Sequence, residues 1–264
     1  MAYSIWLNDL DASTGNILFG GVDAEKYTPP LLSLPVESAS GVFSDLMITL
    51  TGLRLGSRTI GPADLAIAVL LDTGSSLTYL PDGLASEIYA AVGAVFDPDA
   101  NAAYVPCALA RDPSAPPLVF AFSEPAIAVG MDELVLDLLT TSAGGRPALA
   151  DGAPACLFGI APAGEGTFVL GDTFLRSAYV VYDLANNRVA LAPARFNASA
   201  SRVLEIGSGP DAVPGATRVA NPVRATEGLR GMNAAANAAP ATGTGMPLML
   251  ACLTLVLVVV GGLV

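Results

Sequence analysis

The sequence contains no histidine among its 264 residues. This absence excludes nucleophilic sites of the Ser-His-Asp and Cys-His kinds, and it removes the imidazole groups that usually hold a catalytic zinc ion. Basic residues are also few, because 12 lysine and arginine residues stand against 24 aspartate and glutamate residues. We therefore expect no nucleic-acid interface. Carboxylates remain for acid-base chemistry, and we expect neither a metal nor a cofactor.

Cysteine is scarce as well. Cys252 lies in an uncharged apolar run, whereas Cys107 and Cys156 lie in the mixed polar and apolar body of the chain. In a secreted protein Cys107 and Cys156 would form a disulfide closing a loop of about 50 residues, worth about 4 kcal/mol in chain entropy. The alternative is two free buried thiols.

The first 196 residues have the composition of a folded β domain. Short apolar runs alternate with Gly, Pro, Asn and Asp, a pattern that predicts mostly β structure. The clearest predicted strands cover residues 4–7, 17–20, 46–53, 67–71, 118–122, 168–170, 179–182 and 188–193. Two short helices are predicted over residues 82–95 and 174–178, the first with Asp82 as its N-cap. Asn186 and Asn187 predict the turn of a hairpin.

The remaining residues divide into a linker and an apolar tail. Residues 197–245 are rich in Ala, Gly, Ser, Thr, Pro and Asn, which predicts a disordered linker or stalk. Residues 246–264 are continuously apolar and long enough to span a bilayer. No charged residue follows Arg230, so a transmembrane helix would lack its usual flanking anchor.

A GPI attachment signal fits this tail better than a retained transmembrane helix. Such a signal needs small residues at the attachment site, a polar spacer and a hydrophobic tail that is removed. Asn233 is the predicted attachment site and Asn237 the second choice, and Cys252 would leave with the tail. A plain transmembrane tail is the alternative.

Two further features concern the cell-surface location that this tail predicts. Asn197 begins an Asn-Ala-Ser sequon and is a candidate glycosylation site. Residues 1–6 contain neither the basic nor the apolar region of a secretory signal. We therefore expect that residues preceding this chain are missing.

The stretch AVLLDTGSSLTYLP, residues 68–81, places one carboxylate in a polar turn between apolar runs. Gly74 allows a sharp turn after Asp72, and the hydroxyls of Thr73 and Ser75 can orient the carboxylate. The alternative is an ordinary hairpin turn with a solvated aspartate.

This string resembles the active-site signature of pepsin-like aspartic proteases. Residues 168–192, FVLGDTFLRSAYVVYDLANNRVALA, resemble the second-half hallmark of that family, in which residues 169–171 cross behind the catalytic loop. Residues 4–27 are similar to the opening strands of its C-terminal lobe. Cys107 and Cys156 fall where that lobe carries its disulfide.

The resemblance covers residues 3–196 and implies an all-β lobe with short helices. Pepsin-like enzymes have two homologous β-barrel-like lobes, and each contributes one Asp loop. This chain contains one Asp-Thr-Gly sequence. The resemblance therefore implies a C-terminal lobe at residues 1–196, whose partner is a missing N-terminal lobe. The apolar tail makes the fungal GPI-anchored, yapsin-like branch the most similar group.

The resemblance also implies roles for the residues of the loop. Asp72 would be one of two carboxylates that share a proton across a bound water. Thr73 would brace the loop against its counterpart, and Ser75 would hydrogen-bond the outer oxygen of Asp72. Gly74 would let the backbone approach, and both Gly74 and Ser76 would contact the substrate backbone.

The function predicted from these features is an aspartic endopeptidase that cleaves peptide bonds between largely apolar residues at the cell surface. The chain as given would be inactive without its N-terminal lobe. One alternative is a catalytically inactive lobe that binds partners at the cell surface. Another is a single-lobe protease that dimerises to pair two copies of Asp72, which is disfavoured because the chain offers no flap. Asp172 would be structural or would tune the carboxylate pair.

Overall fold

The structure, a computed structural model, describes residues 1–39, 41–43, 45–137 and 147–229. Strands dominate these ranges, which confirms the expected all-β fold. In chain order they are β1 (Ala2–Trp6), β2 (Asn16–Phe19), β3 (Gly21–Asp23), β4 (Leu31–Pro35), β5 (Met47–Leu50), β6 (Gly52–Leu55), β7 (Arg58–Ile60), β8 (Ile67–Leu71), β9 (Thr78–Leu80), β10 (Val95–Asp97), β11 (Ala102–Pro106), β12 (Leu118–Ala121), β13 (Ala126–Val129), β14 (Val135–Leu136), β15 (Ala155–Phe158), β16 (Ile160–Pro162), β17 (Val169–Leu170), β18 (Ala178–Asp183), β19 (Arg188–Pro193), β20 (Val203–Glu205) and β21 (Ala216–Arg218). The described helices are α1 (Asp82–Val92), α2 (Met131–Leu134) and α3 (Asp172–Leu175), with a 3-10 turn at Cys107–Arg111.

A six-stranded sheet in the order β2-β1-β18-β19-β4-β21 forms one layer of the molecule. Because side chains alternate across a strand, β18 sends Val180 and Tyr182 into the main core and Tyr179 and Val181 into a second cluster on the opposite face. Every residue of β18 is buried. This strand therefore joins two hydrophobic layers.

Two four-stranded sheets enclose the main core, in the orders β10-β11-β15-β14 and β13-β12-β6-β7. A disulfide joins Cys107, in the 3-10 turn after β11, to Cys156 in β15, with 4.9 Å between the Cα atoms. The structure thus contains the expected disulfide.

A five-stranded sheet in the order β16-β9-β17-β8-β5 carries the central crossing of the fold. Strands β8 and β9 follow each other in the chain but are not neighbours, because β17 lies between them. β17 pairs with β8 in parallel and with β9 antiparallel. The loop that connects β8 to β9 must therefore pass over the end of β17.

Several predicted elements have different bounds in the structure. The predicted strand at residues 46–53 is two strands, because the chain breaks at Thr51, whose amide donates to Ala121 O at 2.8 Å. Helix α1 ends at Val92 because Gly93 caps it with φ at 72°. The N-cap of α1 is Pro81, and the Asp82 carboxylate instead accepts the Gly164 amide at 2.9 Å.

The linker prediction is wrong over residues 203–219. Strand β20 pairs antiparallel with β3, and β21 pairs in parallel with β4. Val213 and Val219 are buried against the lobe. Low apolar content predicted disorder here, but an existing sheet edge supplies backbone partners, so few apolar side chains suffice to hold the segment. Residues from 230 onward lie outside the described ranges.

Within the described ranges, no helix has both the length and the apolar character needed to cross a membrane. The predicted tail at residues 246–264 lies outside these ranges, as do Asn233, Asn237 and Cys252.

Candidate active site

Strand β8 delivers Asp72 to the surface of the molecule. Its residues Val69 and Leu71 are buried, whereas Asp72 at its end is half-buried. The Asp72 amide donates to Leu170 O at 3.1 Å, which extends the pairing of β8 with β17 to the aspartate itself. The backbone of Asp72 is therefore fixed by a segment distant in sequence.

The loop itself orients the Asp72 carboxylate. The Gly74 amide donates to Oδ1 at 2.9 Å, and the Ser75 hydroxyl donates to Oδ2 at 2.7 Å. Thr73, Gly74 and Ser76 are exposed beside it. Each carboxylate oxygen thus has one donor from its own loop and keeps acceptor capacity on the exposed side.

Gly171, at the end of β17, packs directly behind this loop. A Cβ atom on Gly171 would lie 2.2 Å from Ser75 O and 2.3 Å from Leu77 O. The Asp172 amide donates to Ser75 O at 2.8 Å. The crossing segment therefore lies behind the Asp72 loop, as the resemblance implied, and only glycine fits at its closest point.

A buried pair of threonines links β9 to α3, the helix that follows β17. Thr173 Oγ1 lies 3.1 Å from Thr78 Oγ1 and 3.0 Å from Gly159 O. Both threonines are fully buried. Sequence reasoning missed this pair because the two residues lie 95 positions apart.

Asp172, the first residue of α3, is a carboxylate on which the charge of Asp72 acts. Burial raises the pKa of Asp172, the Arg176 guanidinium partly offsets that rise, and the Asp72 charge adds to it. Proximity of two carboxylates disfavours ionising both. Asp172 therefore belongs to the electrostatic surroundings of Asp72.

Arg176 also forms a buried ion pair with Glu133. Its Nε contacts the Glu133 carboxylate, and its Nη2 donates to Glu133 O at 2.8 Å. The Leu10 amide donates to Glu133 Oε1 at 2.9 Å. Burial raises the pKa of Glu133, and the hydrogen bond and charge of Arg176 partly lower it. No sequence signal linked these residues, which lie 43 positions apart.

The buried side chain of Tyr182 contacts β8, the strand that carries Asp72. Its hydroxyl lies 3.4 Å from Leu71 O, and its ring stacks on Tyr3 with 4.8 Å between centroids. Burial raises the pKa of Tyr182, and its neighbours Tyr3 and Asp72 add to the rise. The phenol therefore stays neutral beneath the loop.

The described ranges contain one group of potential metal ligands, Cys107, Asp137 and Cys156, whose ligand atoms lie within 4.8 Å of one another. Because the two sulfur atoms are bonded to each other, they do not supply thiolates. This group is far from a complete donor set for a structural ion.

Asn197 lies at the surface, away from the loop. Its backbone amide donates to Asn8 Oδ1 at 2.7 Å, and its side-chain amide donates to the Asp9 carboxylate. The side chain is exposed. Glycosylation of Asn197 stays a prediction.

The sequence is similar to those of known proteins over most of its length. A family model described as eukaryotic aspartyl protease matches residues 1–194. The chain is 48% identical over 251 residues to the probable aspartic-type endopeptidase OPSB of Arthroderma benhamiae, a match that covers 93% of this chain and 49% of that protein. It is 36% identical over 225 residues to aspartic proteinase 3 of Saccharomyces cerevisiae, covering 82% of this chain and 36% of that protein.

A third relative is secreted aspartic protease 8 of Candida albicans, 34% identical over 201 residues, with 76% of this chain and 43% of that protein covered. The chain thus spans about half the length, or less, of these curated relatives. The family match over the folded residues, together with the identity to these proteins, shows that the chain belongs to the eukaryotic aspartyl protease family.

Proposed function

We propose that this chain is the C-terminal lobe of an aspartic-type endopeptidase, in which Asp72 supplies one of the two catalytic carboxylates. The observation that supports this most directly is the setting of Asp72. Its carboxylate is held by Gly74 and Ser75 at the tip of an exposed loop, with acceptor capacity left toward solvent. The names of the relatives describe endopeptidases and proteinases.

The proposed reaction needs a second carboxylate close to Asp72. Two such groups about 3 Å apart do not both ionise, so the pair holds one proton at acidic pH. The ionised partner takes a proton from the attacking water, and the protonated partner gives its proton to the carbonyl oxygen of the scissile peptide bond. Water forms the new bond to the carbonyl carbon and gives a tetrahedral gem-diol. When this intermediate collapses, the C–N bond breaks, the carboxyl group that took the proton from water gives it to the leaving amine, and the other carboxylate takes a proton from the gem-diol. The pair again holds one proton, and no covalent bond to the enzyme is required.

We assign the second carboxylate to an N-terminal lobe of a longer protein. Two observations support this assignment: the chain covers 49% of its Arthroderma benhamiae relative, and it contains one Asp-Thr-Gly sequence. In this assembly the exposed Thr73 braces the loop against the other lobe. Gly74 and Ser76, also exposed, contact the backbone of the peptide substrate.

The test uses the extended protein with both lobes. Asp72→Asn should abolish pepstatin-sensitive cleavage of a protein substrate at acidic pH while the thermal unfolding curve stays close to that of the parent. Asp64→Asn, an exposed carboxylate just before β8, is the matched control and should retain activity. Full activity of Asp72→Asn would remove Asp72 from the mechanism.

The lone chain provides a second test of the same proposal. Residues 1–245 should show no proteolysis between about pH 3 and pH 6, because one carboxylate does not serve as both base and acid on the same water. Robust acid proteolysis that Asp72→Asn abolishes would instead support a self-dimer. A stable, folded, inactive chain that captures peptides would support a binding protein.

We also propose that the mature protein is held at the cell surface by a GPI lipid at Asn233 and carries a glycan on Asn197. Support comes from the sequence pattern of the tail and from the secreted relative of Candida albicans. Phosphatidylinositol-specific phospholipase C should release the protein from membranes. Recovery of the Val264 terminus by mass spectrometry would show a retained tail, and an unchanged mass after endoglycosidase treatment would exclude the glycan.

A further inference from the structure

Residues 203–228, which we call the strap, run along three sheets of the lobe. The strap begins with β20, which pairs with β3 from Val203 to Glu205. It continues with β21, which adds a sixth strand to the large sheet by pairing in parallel with β4. Backbone pairing with β3 and with β4 gives this segment a fixed path on the lobe.

The middle of the strap is held by hydrogen bonds to backbone and side-chain atoms of the lobe. Val219 is buried, and its amide donates to Ser33 O at 3.0 Å. The Val223 amide donates to the Ser123 hydroxyl oxygen at 3.0 Å. These bonds carry the strap from the large sheet to the turn between β12 and β13.

The end of the strap reaches the strand that carries Asp72. The Thr226 amide donates to Ala66 O at 2.8 Å, and the Ala68 amide donates to Glu227 O at 2.9 Å. Gly228 follows with φ at +86°, and a Cβ atom there would lie 2.6 Å from Ala68 O and 3.0 Å from the Phe168 ring. The strap therefore packs so closely against the start of β8 that a side chain at position 228 would clash with the strand.

One edge of β8 is completed by two segments that are distant in sequence. The amides of Ala68, Leu70 and Asp72 donate in turn to Glu227 O at 2.9 Å, Phe168 O at 2.9 Å and Leu170 O at 3.1 Å. The strap thus extends the line of β17 toward the beginning of β8. Without it, the Ala68 amide would lose its partner on the strand that positions the carboxylate.

We propose that the strap is a positioning element for Asp72, in which residues 226–228 clamp the start of β8 and thereby fix where the strand ends. The catalytic consequence rests on the proposed protease function, whereas the clamping of β8 does not. Because small displacements of reacting groups lower rates strongly, loosening the clamp should lower kcat with little change in KM. The proposed substrate contacts, Gly74 and Ser76, lie on the Asp72 loop.

The test compares two glycine variants in the extended protein. Gly228→Ala places a methyl group against Ala68 O, whereas Gly209→Ala, at φ +94°, has no atom within 4 Å of the added carbon. Both variants force a residue into left-handed backbone, so the difference between them isolates the contact with β8. Site-resolved hydrogen exchange and steady-state kinetics are the two measurements.

In Gly228→Ala we expect exchange at the Ala68 amide to rise about tenfold relative to Gly209→Ala, with a smaller rise at the Asp72 amide. We expect kcat to fall roughly three- to tenfold with KM within about twofold. If Gly228→Ala does not fold, Thr226→Val serves in its place. That variant removes the hydroxyl bond to Ala66 O at 3.2 Å and should shift the same amides by less.

The outcomes separate the two proposals. Unchanged exchange at Ala68 would overturn the clamp. Faster exchange at Ala68 with an unchanged Asp72 amide and unchanged kcat would leave the strap a structural segment and overturn its positioning role. If the parent protein cleaves nothing, the protease proposal fails, and the Asp72 amide alone then decides whether the strap holds the loop.

Discussion

Gly171→Ala should destabilise the protein through close contacts with the backbone of the Asp72 loop. The added Cβ atom would lie 2.2 Å from Ser75 O and 2.3 Å from Leu77 O, and real Cβ atoms essentially never approach other atoms within 3.0 Å. Because φ of Gly171 is −91°, outside the left-handed region that favours glycine, the effect should come mainly from the contacts of the added methyl group.

The size of the effect follows from what has to move. Overpacking a close-packed interior costs about 1–3 kcal/mol. The obstructing atoms here are main-chain oxygens, one of which accepts the Asp172 amide, so relief requires a shift of the loop and not a change of side-chain rotamer. We therefore expect a loss of about 3 kcal/mol, which lowers Tm by about 6–12 °C for a domain of this size.

Thermal unfolding of Gly171→Ala and of Gly83→Ala in the same background provides the measurement. Gly83 lies in the first turn of α1 with open space around its Cβ position. Gly83→Ala should raise stability by about 0.5–1 kcal/mol because alanine is the better helix former. A Tm for Gly171→Ala within about 2 °C of the parent would refute the close approach of β17 to the Asp72 loop.

Three further predictions concern buried charge and the disulfide. Arg176→Met leaves the Glu133 carboxylate buried without its cation, so the free energy of unfolding measured in urea should fall by about 3–5 kcal/mol. Adding Glu133→Gln should recover part of this loss. Fully additive effects of the two substitutions would contradict the pairing. Because the pKa of folded Asp172 is raised above its usual 3.8, its ionisation opposes folding, so Asp172→Asn should stabilise the protein only as pH rises through and beyond that value. An equal gain in Tm at about pH 2.5 and about pH 7 would contradict this sign. Replacing both Cys107 and Cys156 by alanine opens a link across 49 positions and should cost about 4 kcal/mol, whereas an unchanged urea midpoint would show that the link adds nothing.

The Asp72 loop was predictable because its chemistry is local. Gly74 and Ser75 lie two and three residues after the aspartate, and both donate to its carboxylate. The strand before the loop was predictable from its apolar run, and β8 has the predicted bounds, whereas β9 after the loop was not among the predicted strands. A short string therefore specified both the turn and the orientation of the charged group.

The supports of the loop were not predictable from local pattern. Thr78 meets Thr173 across 95 positions, and Glu133 meets Arg176 across 43. Neither pair belongs to a periodic pattern, because each joins residues that the fold brings together from distant parts of the chain. Such contacts depend on the topology of the fold, and the amino-acid composition does not reveal them.

The strap was misread for a related reason. Its sequence is poor in apolar residues, a composition that predicts disorder when a segment must build its own core. The strap does not build one, since its strands pair with β3 and β4 of the lobe and it buries only single side chains such as Val219. The composition of a segment shows which apolar side chains it can bury. It does not show which backbone hydrogen-bond partners the rest of the fold provides for it.

The orientation and the location of the Asp72 carboxylate therefore have separate causes. Orientation comes from Gly74 and Ser75 within the loop, whereas location comes from an edge of β8 that β17 and the strap complete from distant parts of the chain. In the proposed two-lobe site, an error in orientation would misdirect the shared proton, and an error in location would misplace both oxygens together. Ser75→Ala should accordingly change the pH profile more than Tm, because it removes one donor to the carboxylate. Gly171→Ala and Gly228→Ala should change Tm and kcat together, because each displaces the backbone that carries the carboxylate while neither removes a donor.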